Sequence, residues 1–354
     1  MTTGNITLPR RKVLALFSCV AGRYPSKQGN PVARRKKFSQ KPCVAKEIGE
    51  RNWYLCHDIT NNKMKKILTT AFIALAMLAG CEKPGNNSDA PGPDTQNPDG
   101  NITLELPADP QPENTDFSHK IMLLQHTGTA CPNCPRLMTS LREIAADPAY
   151  AEKYQHVASH SYNSDDPAYS EAAKKISDAF CKAYPELTFN LSGETTGDDT
   201  SVATIKRFID QIHKDKADAG ICAAAQLTGN TVTINTQIKA GAENSYRVAA
   251  WILEDDIKAQ QSSNGALEEW MHTHENALRA FSGTSLNLGI YGEKLGTLKA
   301  GETAEKVLTI ELQKDWKAEN CKVFILVNSS EDGKFDVTNC TICPIGGSVT
   351  YQYN

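Results

Sequence analysis

The sequence predicts an α/β unit followed by an all-β unit. Three observations carry this. Between residues 117 and 220, apolar runs of strand length alternate with amphipathic helical patterns. From Ile221 the apolar period drops to two, with turn residues between the runs. Cys131-Pro132-Asn133-Cys134 falls where the first strand of the α/β unit hands over to its first helix. The 354 residues suffice for two domains at a prior of about 150 residues each. A net charge of -3 excludes a uniformly basic nucleic-acid binder, and 40% hydrophobic residues exclude a disordered chain. No apolar run reaches the ~18 residues a spanning helix needs.

The charge is unevenly placed. Residues 1–66 hold 15 Lys+Arg against 3 Asp+Glu, whereas residues 82–354 hold 23 against 38. Residues 1–63, with Arg34-Arg35-Lys36-Lys37, show no sustained period. They read as a non-native upstream extension or disordered segment rather than as a nucleic-acid arm. Met64-Lys65-Lys66 then opens a basic stretch, and Ile67 to Ala79 carries no charge, the layout of a signal peptide. Leu78-Ala79-Gly80-Cys81 closes it. Small residues before a cysteine resemble the bacterial lipobox, which implies a leader over 64–81 and lipidation of Cys81. Residues 82–116 begin with a tract rich in Pro, Gly, Asn and Asp, and read as a flexible tether.

In the α/β unit, Lys120 to Gln125 is a buried strand, and Leu137, Leu141 and Ile144 mark a helix over 132–146. A cysteine at that helix start meets unpaired N–H groups that favour a thiolate, and a second cysteine three residues on faces the same side. Cys131 is therefore the candidate nucleophile and Cys134 the resolver. A redox pair requires Cys131 partly exposed with Cys134 beneath it. A structural pair requires both sulfurs covered. His156 to Tyr162 is a strand, Ala168 to Ala183 a helix, Leu187 to Leu191 a strand and Ser201 to Ala217 a helix. This order, with Pro185 just ahead of a strand, resembles the thioredoxin fold. That resemblance implies a cis Tyr184–Pro185 bond near Cys131 and a part for Pro185 in shaping the site.

In the second unit, Thr231 to Ile238, Tyr246 to Leu253, Val307 to Leu312 and Val323 to Val327 read as strands of an Ig-like β-sandwich over 221–354. Cysteines outside the cytoplasm are disulfide candidates before they are metal ligands. Cys222, Cys321, Cys340 and Cys343 are the structural candidates. Cys340 and Cys343 on one strand would face opposite ways, so a partner elsewhere is favoured. His126 and His160 read as partly exposed histidines at strand ends, and Glu268, Glu269, His272 and His274 as the solvated face of a short helix. No metal site and no cofactor is expected.

The leader, Thr127-Gly128, the Cys131–Pro135 motif and a β-rich second half together resemble the 28-kDa outer-membrane-protein family over residues 117–354. His274-Glu275-Asn276-Ala277-Leu278-Arg279 and Cys343-Pro344-Ile345-Gly346-Gly347 add weaker likeness. The resemblance implies a thioredoxin-like domain followed by a β-sandwich, and lipid anchoring at the outer membrane with the leaflet open. It brings no reaction. Two functions remain from the residues: thiol–disulfide exchange on an exported protein through CPNC, and a non-catalytic surface lipoprotein whose fold is a scaffold for an unknown ligand. Neither involves nucleic acid.

Overall fold

Strands outweigh helices among the described residues. The computed structural model describes residues 104–354 except 332 and 333, all within one compact unit, Asn86–Asn354. The expected extension over 1–63, the leader over 64–81 with Cys81, and the tether up to residue 103 lie outside the described residues.

The first half runs β1 (Ile121–Thr127), α1 (Cys134–Ala145), β2 (Tyr154–His160), α2 (Glu171–Phe180), β3 (Glu186–Phe189), β4 (Glu194–Thr195) and α3 (Val202–Ile212). β1 pairs with β2 in parallel and with β3 antiparallel. α2 and α3 are, like α1, shorter than expected. α2 starts only after Ser170, whose hydroxyl caps the Ala173 N–H, and stops at Phe180 ahead of Tyr184-Pro185. α3 is capped by Ser201 and ends at Ile212, because His213 is already extended.

The second half runs β5 (Ala219–Thr228), β6 (Thr231–Ala240), β7 (Asn244–Glu254), β8 (Ile257–Lys258), β9 (Thr273–His274), β10 (Ala277–Phe281), α4 (Leu286–Tyr291) and β11 (Glu293–Leu298). β12 (Thr303–Glu311), β13 (Cys321–Glu331), β14 (Lys334–Pro344) and β15 (Gly347–Val349) complete it. β12, β6, β5 and β15 form a four-stranded sheet. The other long strands join the first half: the order β14-β13-β7-β10-β2-β1-β3-β4 is one nine-stranded sheet, with β11 also on β7. The sheet therefore crosses the boundary expected at 220/221. The seam is β10, antiparallel to β7 and parallel to β2 through Ala277 and Ala158.

Alternation along the central strands sorts the core. Val248, Ala250 and Ile252 of β7 face the four-stranded sheet with Val323, Ile325 and Val327. Ala249, Trp251 and Leu253 face the opposite way, with Phe324, Leu326, Met122, Leu124 and the apolar side of α2. Burial on both sides explains why β7 and β13 are near-continuous apolar runs. On the β1 side, Ile121 and Leu123 pack under α1 and α3. Register through β2 and β10 puts α1, α3 and the four-stranded sheet on the same face.

The last residues expected as tether are packed instead. Asn235 donates to the Leu104 carbonyl, and buried Lys239 reaches Asp109 and the carbonyl oxygens of Gln111 and Pro112. Leu106 lies against the Phe117, Cys222 and Tyr351 cluster. An apolar residue and a counter-charge for a buried lysine are reasons to order a chain that its Pro-rich composition alone would leave free.

Candidate functional site

β1 is buried throughout and delivers the chain into the Gly128–Cys134 loop. Gly128 is there because the Tyr162 Cβ stands 2.5 Å from where a Cβ at 128 would lie. Thr129 N–H donates to Asp166 Oδ2 at 2.7 Å, and Cys131 N–H to the Gly128 carbonyl at 3.0 Å. Asp166 Oδ2 also takes the His160 Nδ1 at 2.8 Å, while Oδ1 accepts from Ala168 N–H. Burial alone would raise Asp166, but the His160 contact and the two backbone N–H groups bring it down to about 2.

Cys131 and Cys134 form a disulfide. Cys134 is the first residue of α1 and Asn133 its cap, so the helix begins later than expected; Pro135, not Pro132, fills the first helical turn. The Tyr184–Pro185 bond is cis. The register ends at His126 opposite Glu186, so Pro185 enters β3 at the end where β1 runs on toward the disulfide loop.

Exposure departs from the redox expectation. Cys131 is 1% exposed and Cys134 0%. The cover is an excursion, residues 259–272, between β8 and β9. Ser262 N–H donates to the Thr129 carbonyl at 2.7 Å and Asn264 N–H to the Pro132 carbonyl at 2.9 Å. Gln261, itself buried, donates through Nε2 to the Cys131 carbonyl at 3.1 Å. Asn264 Nδ2 meets Asn133 Oδ1 at 3.1 Å. Sequence reasoning missed this strap; its only trace is a polar Gln260–Gly265 tract too long for a hairpin turn.

The expected structural disulfide is absent. Cys222, Cys321, Cys340 and Cys343 are free and buried. The fold separates them: Cys340 faces the α2 side, Cys321 and Cys343 the core between the two sheets, and Cys222 the Phe117 cluster. Burial raises Cys222 and Cys343 to about 11 and Cys321 to about 12, so these thiols are not nucleophiles at neutral pH.

The histidines are more deeply placed than expected. His126 is buried, with Nδ1 2.9 Å from Ser177 Oγ and Nε2 2.6 Å from Thr188 Oγ1, and burial lowers it to about 4. His160 and His274 are also buried, their rings 4.9 Å apart. Among the described residues no three acidic, histidine or cysteine side chains are grouped to hold a metal. His156, His160 and His274 instead border a cavity of about 680 Å³ beside α1.

Residues 182–346 match the family described as Outer membrane protein Omp28. Over that stretch, just under half of the chain, the sequence carries the Omp28 family pattern. The chain is accordingly an outer-membrane protein, and no helix among the described residues is long and apolar enough to cross a membrane. The Omp28 stretch holds the seam strand β10, and two of the short motifs find their use in it. Asn276 and Ala277 stitch β10 to β2, while Gly346, with a positive φ, turns β14 into β15. No curated protein matches the chain in sequence. Among solved structures, HBP35 of Porphyromonas gingivalis shares 14% identity at a TM-score of 0.53, over 65% of this chain and 76% of that one. A domain of the outer membrane lipoprotein Omp28 from Porphyromonas gingivalis shares 19% identity at a TM-score of 0.25, over 36% of this chain and 88% of that one. The first likeness is one of fold alone.

Proposed function

We propose that this chain is a lipoprotein anchored through Cys81, whose thioredoxin-like half is a binding scaffold stapled by Cys131–Cys134. The observation that carries the reading is the cover: neither sulfur is open to solvent, and the strap is tied to the disulfide loop at Thr129, Cys131 and Pro132. An incoming thiolate must reach a sulfur along a clear line, and here both cysteines are closed off from solvent in a loop to which the strap is bonded. The parallel β1–β2 pair, antiparallel β3, and a CxxC between β1 and α1 support the thioredoxin-like reading. The partner is a surface ligand; neither nucleic acid nor a cofactor is required. Incubation with a reduced, unfolded test protein checks this. The scaffold accelerates no disulfide formation over buffer, and Cys134→Ser traps no mixed disulfide. Mass spectrometry of the membrane-extracted chain checks the anchor through a lipid-modified Cys81 at its N-terminus.

Thiol–disulfide exchange is the second reading. It is favoured by one arrangement, the pair at the start of α1 with Pro185 heading the neighbouring strand. Exchange would require the strap to open, and a trapped Cys131 adduct would establish it.

A further inference from the structure

We infer that the cavity over β2 is a binding site for an uncharged aromatic molecule that presents a hydrogen-bond acceptor. This rests on the scaffold reading and names what the scaffold holds. The cavity follows from the layering. On one face of the nine-stranded sheet, α1 and α3 cover β1 and β3, and the four-stranded sheet covers β7 and β13. β2 lies between the two covers. There Gln125, His156, Ala158 and His160 form a floor, Met138 and Leu141 of α1 one wall, and Trp270 and His274 the other. The volume of about 680 Å³ suits a small organic ligand.

The polar groups of the floor select the ligand. Asn276 Nδ2 donates to His156 Nδ1, so His156 Nε2–H donates to Gln125 Oε1 at 3.0 Å. The Gln125 amide is thereby oriented, and its Nε2 is left with no partner although the residue is only 4% exposed. Buried donors of this kind are normally satisfied, and an acceptor on a ligand would satisfy this one. The floor offers no charge to pair with an ion, and the charged groups of the lining, Arg142 and Glu275, are exposed at the mouth, where water already solvates them. Burial lowers His156 and His274 to about 4, which keeps both neutral at pH 7, and Asp166 is already held by His160. An ion placed there would lose hydration without compensation. The wall favours an aromatic ring. Trp270 is fixed by the Arg142 guanidinium 4.5 Å over its face and by its Nε1–H on Glu268, and Met138 offers a thioether.

The neutral aromatic ketone prodan tests the assignment on the full chain, with naphthalene as the acceptor-free comparison. Prodan emission should shift to the blue and saturate at one molecule per chain. Ala145→Trp, at an exposed position of α1 on the cavity mouth, should weaken both probes by about tenfold or more without touching the core. Gln125→Met should weaken prodan by about two- to tenfold and leave naphthalene unchanged. No saturable shift, or an affinity that ignores Ala145→Trp, overturns the site. Equal loss of both probes in Gln125→Met overturns the acceptor assignment. Thiol labelling of the same samples reads the staple separately. Failed probe binding with protected thiols sinks this inference alone, and labelled thiols with bound probe sink the scaffold reading alone.

Discussion

A methyl group at position 128 has nowhere to go, because the Tyr162 Cβ occupies the space 2.5 Å away. Both neighbours are backbone-anchored: Tyr162 N–H donates to the Thr127 carbonyl, and Thr129 N–H to Asp166. Gly128→Ala should therefore shift the disulfide loop and cost about 1–3 kcal/mol in a urea denaturation series. Asp166 is the other determinant of this loop, and its replacement by Asn should loosen it. The native carboxylate receives two backbone N–H groups and His160, and an amide cannot accept as many. Thr127-Gly128 and the CxxC were legible in the sequence because each depends on a local requirement, a missing side chain or a fixed spacing. The cover over Cys131 was not, since Gln261 and Ser262 are ordinary polar residues whose use depends on where distant strands carry them.

At the scale of elements, β10 decides whether the two halves form one body. Arg279 on β10 is buried, with Nε 2.9 Å from Glu254 Oε2 though angled off the oxygen, and donates through Nη1 to the carbonyls of Pro167 and Tyr169. It joins β7 to the segment ahead of α2. Arg279→Ala leaves Glu254 buried without its counter-charge and should destabilise by about 3–5 kcal/mol, measured by chemical denaturation. The strap is the second decisive element. Gln261→Ala removes its side-chain bonds to the disulfide loop and should speed alkylation of Cys131 after reduction by about tenfold. Elements with one apolar face, such as α2 and α3, were readable from their period, as were β6 and β7. β5 is Ala-rich and β14 polar and bulged opposite Val327–Asn328, so neither announces a strand. The Ala277–Ala158 seam joins residues far apart in sequence, and no local pattern encodes it.

At the scale of the molecule, the nine-stranded sheet has α2 and α4 on one face, and α1, α3 and the four-stranded sheet on the other. Such layering buries histidines at the joints. His119, His126, His156 and His274 are each lowered, chiefly by burial, from 6.5 to about 4. Between those values the unfolded chain binds protons that the folded chain refuses, so stability falls as pH drops from 6.5 toward 4. The loss should be about 1–2 kcal/mol per histidine at pH 5, read from denaturation midpoints across pH. Asp166 acts in the same direction further down: its contribution is full above 3.8 and lost as pH falls through about 2. The stapled scaffold itself is tested most directly by the rate at which its sulfurs can be reached. The folded chain is treated with a modest dithiol at neutral pH, and thiols are alkylated over time and located by peptide mass. Cys131 and Cys134 should stay unlabelled until denaturant opens the strap. Labelling of Cys131 in native buffer at the rate of an exposed thiol, with Cys134 slower, would contradict the account and return CPNC to exchange chemistry.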